Sequence, residues 1–321
     1  MITQQQTILS YKDFCKHLET KFTWSPFLKT TFLCDDRCRH CCECAGPDRE
    51  QKFIELADIK YILEQFKNIK NFKNIVTITG GEPMMAYTKK LDHYIPTLLK
   101  YCGKNGYNVC LNTNANWTLN ENAEQIFSDL EEFVVKYKRK LTFFLSLDNW
   151  HKNPINANAA FVNWIAKNNK IADKYTDTYL LFDHPDTTMP FVEKLAKEYN
   201  IVLKDYKIDN SSMASVFKFD GITKRFCLMM YNGITEMGRA KENNIATQKP
   251  FSKTEIYFSP YTIPENEICF DCNGNALLSA CDDDTVKTPY HDKNGKMKPI
   301  AIIKQELFKI AYQCYLSENQ I

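Results

Sequence analysis

No stretch of the chain reaches the roughly 18 uninterrupted apolar residues that a membrane-crossing helix needs. The opening segment, MITQQQTILSYKDFCKHLE, is polar and has no apolar h-region, so no secretory signal is visible. These two absences give an expected cytoplasmic location and no membrane partner. A surplus of either charge is missing too. With a formal net charge of +2 over 321 residues, the chain has no electrostatic footprint for nucleic acid. Internal repeats and low-complexity tracts are absent. An apolar content of 44% and a charged content of 25% exclude a disordered chain. The length allows one large α/β domain, or one domain with a smaller appendage.

Cysteine, by contrast, is abundant. There are thirteen, an odd number that disulfides could not fully use. In a reducing compartment they read as metal ligands or buried thiols. Cys34, Cys38, Cys41, Cys42 and Cys44 crowd one stretch, TFLCDDRCRHCCECAGP, and Cys269, Cys272 and Cys281 form a second group. Cys15, Cys102, Cys110, Cys227 and Cys314 stand alone.

From residue 27 onward, strand-like and helix-like segments alternate. Six strands are expected: FLKTTFL (27–33), NIVTITGG (74–81), YNVCLNTNAN (107–116), KLTFFLSLD (140–148), DTYLLFD (177–183) and IVLKDYKI (201–208). Amphipathic helices lie between them, for example ELADIKYILEQFKNIK, with Leu56, Ile59, Ile62, Leu63, Phe66 and Ile69 on one face. Repeated βα units imply a parallel sheet with right-handed crossovers, open or closed into a barrel. Chemistry in such sheets gathers at the C-terminal strand ends. The residues there are the first cysteine group, GGEP, NTNAN and SLDNWH. The Pro-rich passage 250–267 reads as a join to a C-terminal lobe.

Cys34, Cys38 and Cys41 are spaced C-x3-C-x2-C. A loop of that spacing can wrap three thiolates around an iron–sulfur cube and leave one iron open. The same thiols with Cys44 or His40 could instead form a four-ligand zinc site. Cys42 and Cys44 are read as packing thiols or spare ligands.

The segment resembles the cluster motif of the radical S-adenosylmethionine (SAM) enzymes, with aromatic His40 before the third cysteine. Four further segments resemble the same family in the same order. By that resemblance, Gly80, Gly81, Glu82 and Pro83 would hold the SAM amino group, and Asn114 would lie near the ribose. Ser146 and Asp148 would contact the ribose and methionine part, and Met237, Gly238 and Arg239 the adenine. The resemblance spans roughly residues 27–285. It implies an α/β fold, a partial (β/α)6 TIM-like barrel over 26–242. An N-terminal extension (1–25) would precede it, and a small cysteine-containing auxiliary-cluster lobe (243–321) would follow. It also implies a SAM-binding [4Fe–4S] cluster, SAM itself, and an electron donor such as flavodoxin or ferredoxin. The activity implied is reductive cleavage of SAM to a 5′-deoxyadenosyl radical that abstracts hydrogen from a substrate C–H bond. Two features depart from the family: no arginine occurs in residues 149–175, and Ala115 stands where relatives carry glycine. Lys152 and Ser146 are the candidates for the contact that arginine would make.

The second group, CFDCNGNALLSAC, resembles the C-terminal region of the SPASM and twitch subfamilies. That implies at most one auxiliary [4Fe–4S] cluster on Cys269, Cys272 and Cys281, because the full seven-cysteine pattern is absent. A hairpin with buried thiols or a small zinc site would also account for it. Cys227 has three readings: fourth auxiliary ligand, hydrogen-atom donor, or buried core residue. Trp150 and His151 could contact substrate, as could Asp183 and His184 after the fifth strand and Lys204, Asp205 and Lys207 on the sixth. The implied substrate is a ribosomally made peptide undergoing crosslinking, epimerisation or oxidation; a small molecule is the alternative. An electron-transfer module and a zinc-binding structural protein are the non-enzyme alternatives. Residues 1–25 are too few for a leader-peptide domain, although they could cover the barrel mouth.

Overall fold

The computed structural model describes residues 8–21, 23–89, 91–168, 170–171, 176–182, 193, 197, 201–204, 216–219, 222–230, 234–247, 249, 265–278 and 286–318. The chain begins with α1 (Tyr11–Lys21) and β1 (Thr23–Thr31). Four helical crossovers follow. α2 (Leu56–Phe66) leads to β2 (Ile75–Gly80). α3 (Met85–Thr88) and α4 (Tyr94–Lys104) lead to β3 (Asn108–Thr113). A 3-10 turn (Asn116–Leu119) and α5 (Ala123–Tyr137) lead to β4 (Leu141–Ser146). α6 (Pro154–Lys167) leads to β5 (Thr176–Phe182). Then come β6 (Ile201–Lys204), β7 (Val216–Phe219), β8 (Ile222–Met230) and the short α7 (Gly238–Glu242). β9 (Glu265–Asp271), β10 (Asn275–Leu278), β11 (Lys287–Pro289) and α8 (Ile300–Glu318) complete the described chain.

The strands form one sheet in the order β11-β10-β9-β1-β2-β3-β4-β5-β8-β7-β6. β1 to β5 and β8 are parallel neighbours, which is the six-stranded core of a partial α/β barrel. The sixth parallel strand is therefore 222–230, not 201–208 as expected from sequence. β6 lies two places further out and pairs antiparallel with β7, which pairs antiparallel with β8. Both segments are short and apolar, and only pairing distinguishes them. Lys204 consequently sits on the outermost strand; Asp205 and Lys207 lie outside the described residues. At the other edge β9 adds to β1 in parallel, and β10 and β11 fold back antiparallel, so the cysteine-containing C-terminal strands continue the barrel sheet.

Strand alternation divides the two faces. Leu28, Val76, Ile78, Val109, Leu111, Leu141, Phe143 and Leu145 pack in one core with Ile62 and Phe66 of α2, Leu98 of α4, Leu130 and Phe133 of α5 and Phe161 of α6. Pro96 falls in the first turn of α4, where its missing N–H costs no helix hydrogen bond. α1 and α8 cover the β9–β1 end, with the Trp24 and Phe308 rings 5.7 Å apart and Phe14 stacked on Tyr315 at 5.5 Å. The alternate positions, including Lys29, Thr77, Cys110 and Asn112, form the opposite, more polar face. Among the described residues no helix is long and apolar enough to cross a membrane.

Candidate functional site

The first cysteine group sits on a loop pinched shut where it leaves β1. Cys34 N–H donates to Gly46 O and Gly46 N–H to Phe32 O, both at 3.2 Å, so residues 35–45 project as a closed loop. Inside it, Cys41 N–H donates to Cys38 O and Cys44 N–H to Cys41 O, both at 3.3 Å. Cys34 and Cys38 are buried, Cys41 is half-buried, and all three are free thiols. Cys42 is exposed, which removes it as a packing thiol; half-buried Cys44 adopts φ 49.

The ends of β2, β3 and β4 each bond to this loop or to its immediate surroundings. At β2, Gly81 N–H donates to Thr31 O (2.6 Å) and Glu82 N–H to Leu33 O (2.9 Å). A Cβ at Gly80 would lie 2.2 Å from Thr31 O, and one at Gly81 2.2 Å from Leu33 O. The glycine pair is thus required for this backbone approach, with Gly80 also at φ 123. Glu82, 1% exposed, brackets β2 to β3: Oε1 accepts from Met84 N–H (3.0 Å), and Oε2 from Thr113 Oγ1 and Asn114 N–H (2.8 Å each). Burial, with Asp35 nearby, pushes the Glu82 carboxyl up to about 7 despite these donors. From β3, Asn114 Nδ2 reaches Asp35 Oδ1 at 2.8 Å and lies 3.7 Å from Cys34 Sγ.

Beyond β4 the loop again accepts. Asp36, between the first two cysteines, accepts the Lys152 amide at 2.7 Å. Asp148 Oδ1 accepts from the Trp150 amide (2.8 Å) and lies 2.8 Å from His151 Nδ1. Burial disfavours both charges, but their mutual bond, together with His40 and the Trp150 amide for Asp148, and with Asp36 and Glu82 for His151, outweighs it, lowering Asp148 and raising His151. The His40 ring lies 5.5 Å from that of His151 and 5.8 Å from that of Trp150. Ser146 is half-buried, and its carbonyl accepts from Asn158 Nδ2 at 2.9 Å; Pro83 is buried. The loop thus meets the C-terminal ends of three successive neighbouring strands, where this architecture places its chemistry.

The 237–239 segment reaches the loop from far along the chain. Arg239 N–H donates to Cys41 O (3.1 Å), Nε to Cys38 O (2.8 Å) and Nη2 to Ala45 O (2.6 Å). Met237, half-buried, precedes the turn and donates its N–H to Thr235 O.

The donor set fits an iron–sulfur cluster. Burial and neighbouring carboxylates, chiefly Glu82 for Cys34 and Asp36 for Cys38, push both thiols up, so a bound cation is needed to hold them as thiolates. Among the described residues, the group of three ligating side chains with atoms all within 4.8 Å is His40, Asp148 and His151.

Several features were not singled out in the sequence. Lys29, 4% exposed on β1, pairs with Glu43 of the loop at 2.6 Å. Burial opposes its charge, but Glu43, helped by Cys269 and Cys42, raises the ammonium above its usual range. A lysine inside the apolar FLKTTFL and the acidic pair after Cys34 were the available signals for Lys29, Asp35 and Asp36.

The second cysteine group is not assembled in this way. Cys269 is buried on the Lys29 side of β9, whereas Cys272 packs in the apolar core near Tyr94 and Tyr290, with the Phe32 amide at its sulfur. Burial pushes the Cys272 thiol up to about 11. Cys281, Asp183 and His184 lie outside the described residues, as does the side chain of Cys227. The backbone of Cys227 pairs with Tyr179 on β8, six strands from β9 in the sheet order.

No sequence-family model matches the chain. The Bacillus subtilis protein YfkA is 32% identical over 105 residues, which is 33% of this chain and 27% of YfkA; the match thus takes in about a quarter of that protein. Among solved structures, Streptococcus suis SuiB bound to S-adenosylmethionine aligns over 96% of this chain and 70% of its own, at 14% identity and a TM-score of 0.46. The enzyme anSMEcpe with bound AdoMet aligns over 89% and 77%, at 13% identity and a TM-score of 0.48. By its cysteine loop and by the motifs gathered around that loop at the strand ends, the chain resembles the radical SAM enzymes.

Proposed function

We propose that this chain is a radical SAM enzyme. One observation carries the reading: a closed loop bearing C-x3-C-x2-C is hydrogen-bonded to Asn114 of NTNAN, to Lys152 just after SLDNWH and to Arg239 of GRA (Gly238–Ala240), while GGEP bonds to the β1 end from which the loop springs. Cys34, Cys38 and Cys41 would hold a [4Fe–4S] cluster. When bound together, such a cluster and SAM supply a 5′-deoxyadenosyl radical able to take hydrogen from an unactivated C–H bond.

The chain's own groups shape the remainder. Asn114 and the Asp148–His151 pair line the rim where SAM would lie. In a segment without arginine, His151, beside Asp148 and raised by it, is a group suited to meet a carboxylate. The substrate reading is a peptide, which follows from the SPASM and twitch resemblance, with reduction by a flavodoxin or ferredoxin in the cytoplasm. For an auxiliary cluster the support is thinner, since Cys269 and Cys272 occupy different surroundings. For Cys227, the hydrogen-donor, ligand and core roles are separated by the iron count of its alanine variant.

Anaerobically purified protein should be brown and should form 5′-deoxyadenosine with SAM and dithionite. A colourless zinc protein would overturn the reading, and a brown one that leaves SAM intact would favour an electron-transfer module. A short precursor-peptide gene beside this one would support the peptide. Cys227→Ala should keep its iron and lose or alter product if that thiol is the donor; loss of about four irons would make it a ligand.

A further inference from the structure

The GRA segment lies about two hundred residues beyond the cysteine loop, yet its contacts in the structure are with that loop. Arg239 spans it. The backbone N–H binds Cys41 O, and the guanidinium forks to Cys38 O at 2.8 Å and Ala45 O at 2.6 Å. Asn243, one turn on, donates Nδ2 to Arg39 O at 3.0 Å. Gly238 makes the approach possible. A Cβ there would lie 2.3 Å from Cys42 O and 2.6 Å from Cys41 O, and φ is 47.

We infer that Arg239 is a positioning residue for the cysteine loop, fixing the backbone of Cys38–Ala45, and not a contact to the adenine of a bound nucleoside. Two physical consequences follow. The fork is planar and charge-assisted, so it holds two carbonyls at a set separation, a task that the single ammonium of lysine cannot perform. The peptide bonds are trans. Drawing the Cys38 and Cys41 oxygens toward Arg239 therefore turns the next N–H groups, those of Arg39 and Cys42, the opposite way. The orientation of loop amides and the nearby positive charge are among the factors that set an iron–sulfur potential. The fork itself rests on geometry alone; only its effect on a cluster rests on the function proposed above.

The test uses Arg239→Gln and Arg239→Lys in the full chain, with thermal melts to establish that both fold. In cluster-free protein, trypsin should cut after the exposed Arg37 and Arg39 about tenfold faster in both variants than in the parent, because charged hydrogen bonds that close the loop are lost. In reconstituted protein both should retain less iron after desalting. The iron that stays should show a lower midpoint potential and altered electron paramagnetic resonance, while SAM affinity per loaded cluster changes by less than about threefold. Unchanged trypsin sensitivity would overturn the inference. So would full iron with an unshifted potential and SAM affinity reduced about tenfold. A parent protein that takes up no iron would defeat the proposed function and leave the trypsin comparison to decide the fork.

Discussion

Between Cys34 and Cys44 the thiols ride on a loop closed at its base and bonded to three strand ends, whereas Cys269 and Cys272 ride on a strand and its following turn in two different surroundings. Both regions are cysteine-dense in sequence, and the second even has a C-x2-C spacing. Spacing alone therefore does not decide how the thiols are placed. In an irregular loop the backbone can turn every third or fourth side chain toward one centre. Cys269 is held by the β9 ladder, whereas Cys272 lies in the turn after it, so the two thiols are placed by different backbone geometries. The first region is also held from outside, by Glu82, Asn114, Lys152 and Arg239.

The largest expected contrast is in iron. Cys38→Ala should abolish 5′-deoxyadenosine formation and remove about four irons, while Cys272→Ala should leave iron at the parental level. An equal loss in Cys272→Ala, measured by iron and sulfide assay, would make the two regions alike and restore an auxiliary cluster. Next is the Lys29–Glu43 pair, which ties the loop to β1 beside Cys269. Glu43→Ala leaves a buried ammonium without its partner and should cost about 3 kcal/mol in denaturant unfolding of the cluster-free protein. A change below about 0.5 kcal/mol would show the pair to be a surface contact in effect.

Glu82 gives a pH signature of similar size. Its folded carboxyl is raised to about 7, above its ordinary value of 4.5, so the folded state keeps the proton that the unfolded chain releases. This contribution is fully present below pH 4.5 and declines as pH rises to about 7, by roughly 3 kcal/mol over that window. Glu82→Gln should flatten that part of the stability–pH curve; an unchanged slope would assign it to another group. The smallest effect is expected at Cys44, whose φ of 49 strains a residue with a side chain. Cys44→Gly should retain iron and gain up to about 1 kcal/mol, and iron loss would make it a ligand after all.

Much of the barrel is legible in the sequence because it depends on short-range pattern. The apolar runs at 74–81, 107–116 and 140–148 become β2, β3 and β4, and the helix periodicity of 55–70 becomes α2. The motif residues fall at strand ends because a βα repeat places loops there. The sixth strand is where pattern fails: IVLK and FCLMMY are equally apolar, and only hydrogen-bond pairing puts one at the parallel position and the other at the far edge. The roles of the glycine pair and of Glu82 were legible only in part. Their presence is a sequence fact, but the approach of Gly80 and Gly81 to β1 and the grip of Glu82 on Thr113 and Asn114 are tertiary.

The sequence by itself determined which residues carry chemistry and roughly where along a βα repeat they lie, because motif spacing and hydrophobic period are local properties. Tertiary structure alone decided which of them meet. Arg239 on Cys38, Lys29 with Glu43, and Asp36 with the Lys152 amide are joined by sheet order and strand register across 14 to 201 residues. Cys269, on β9, and Cys272, in the turn that follows it, likewise end in different surroundings that their C-x2-C spacing does not reveal.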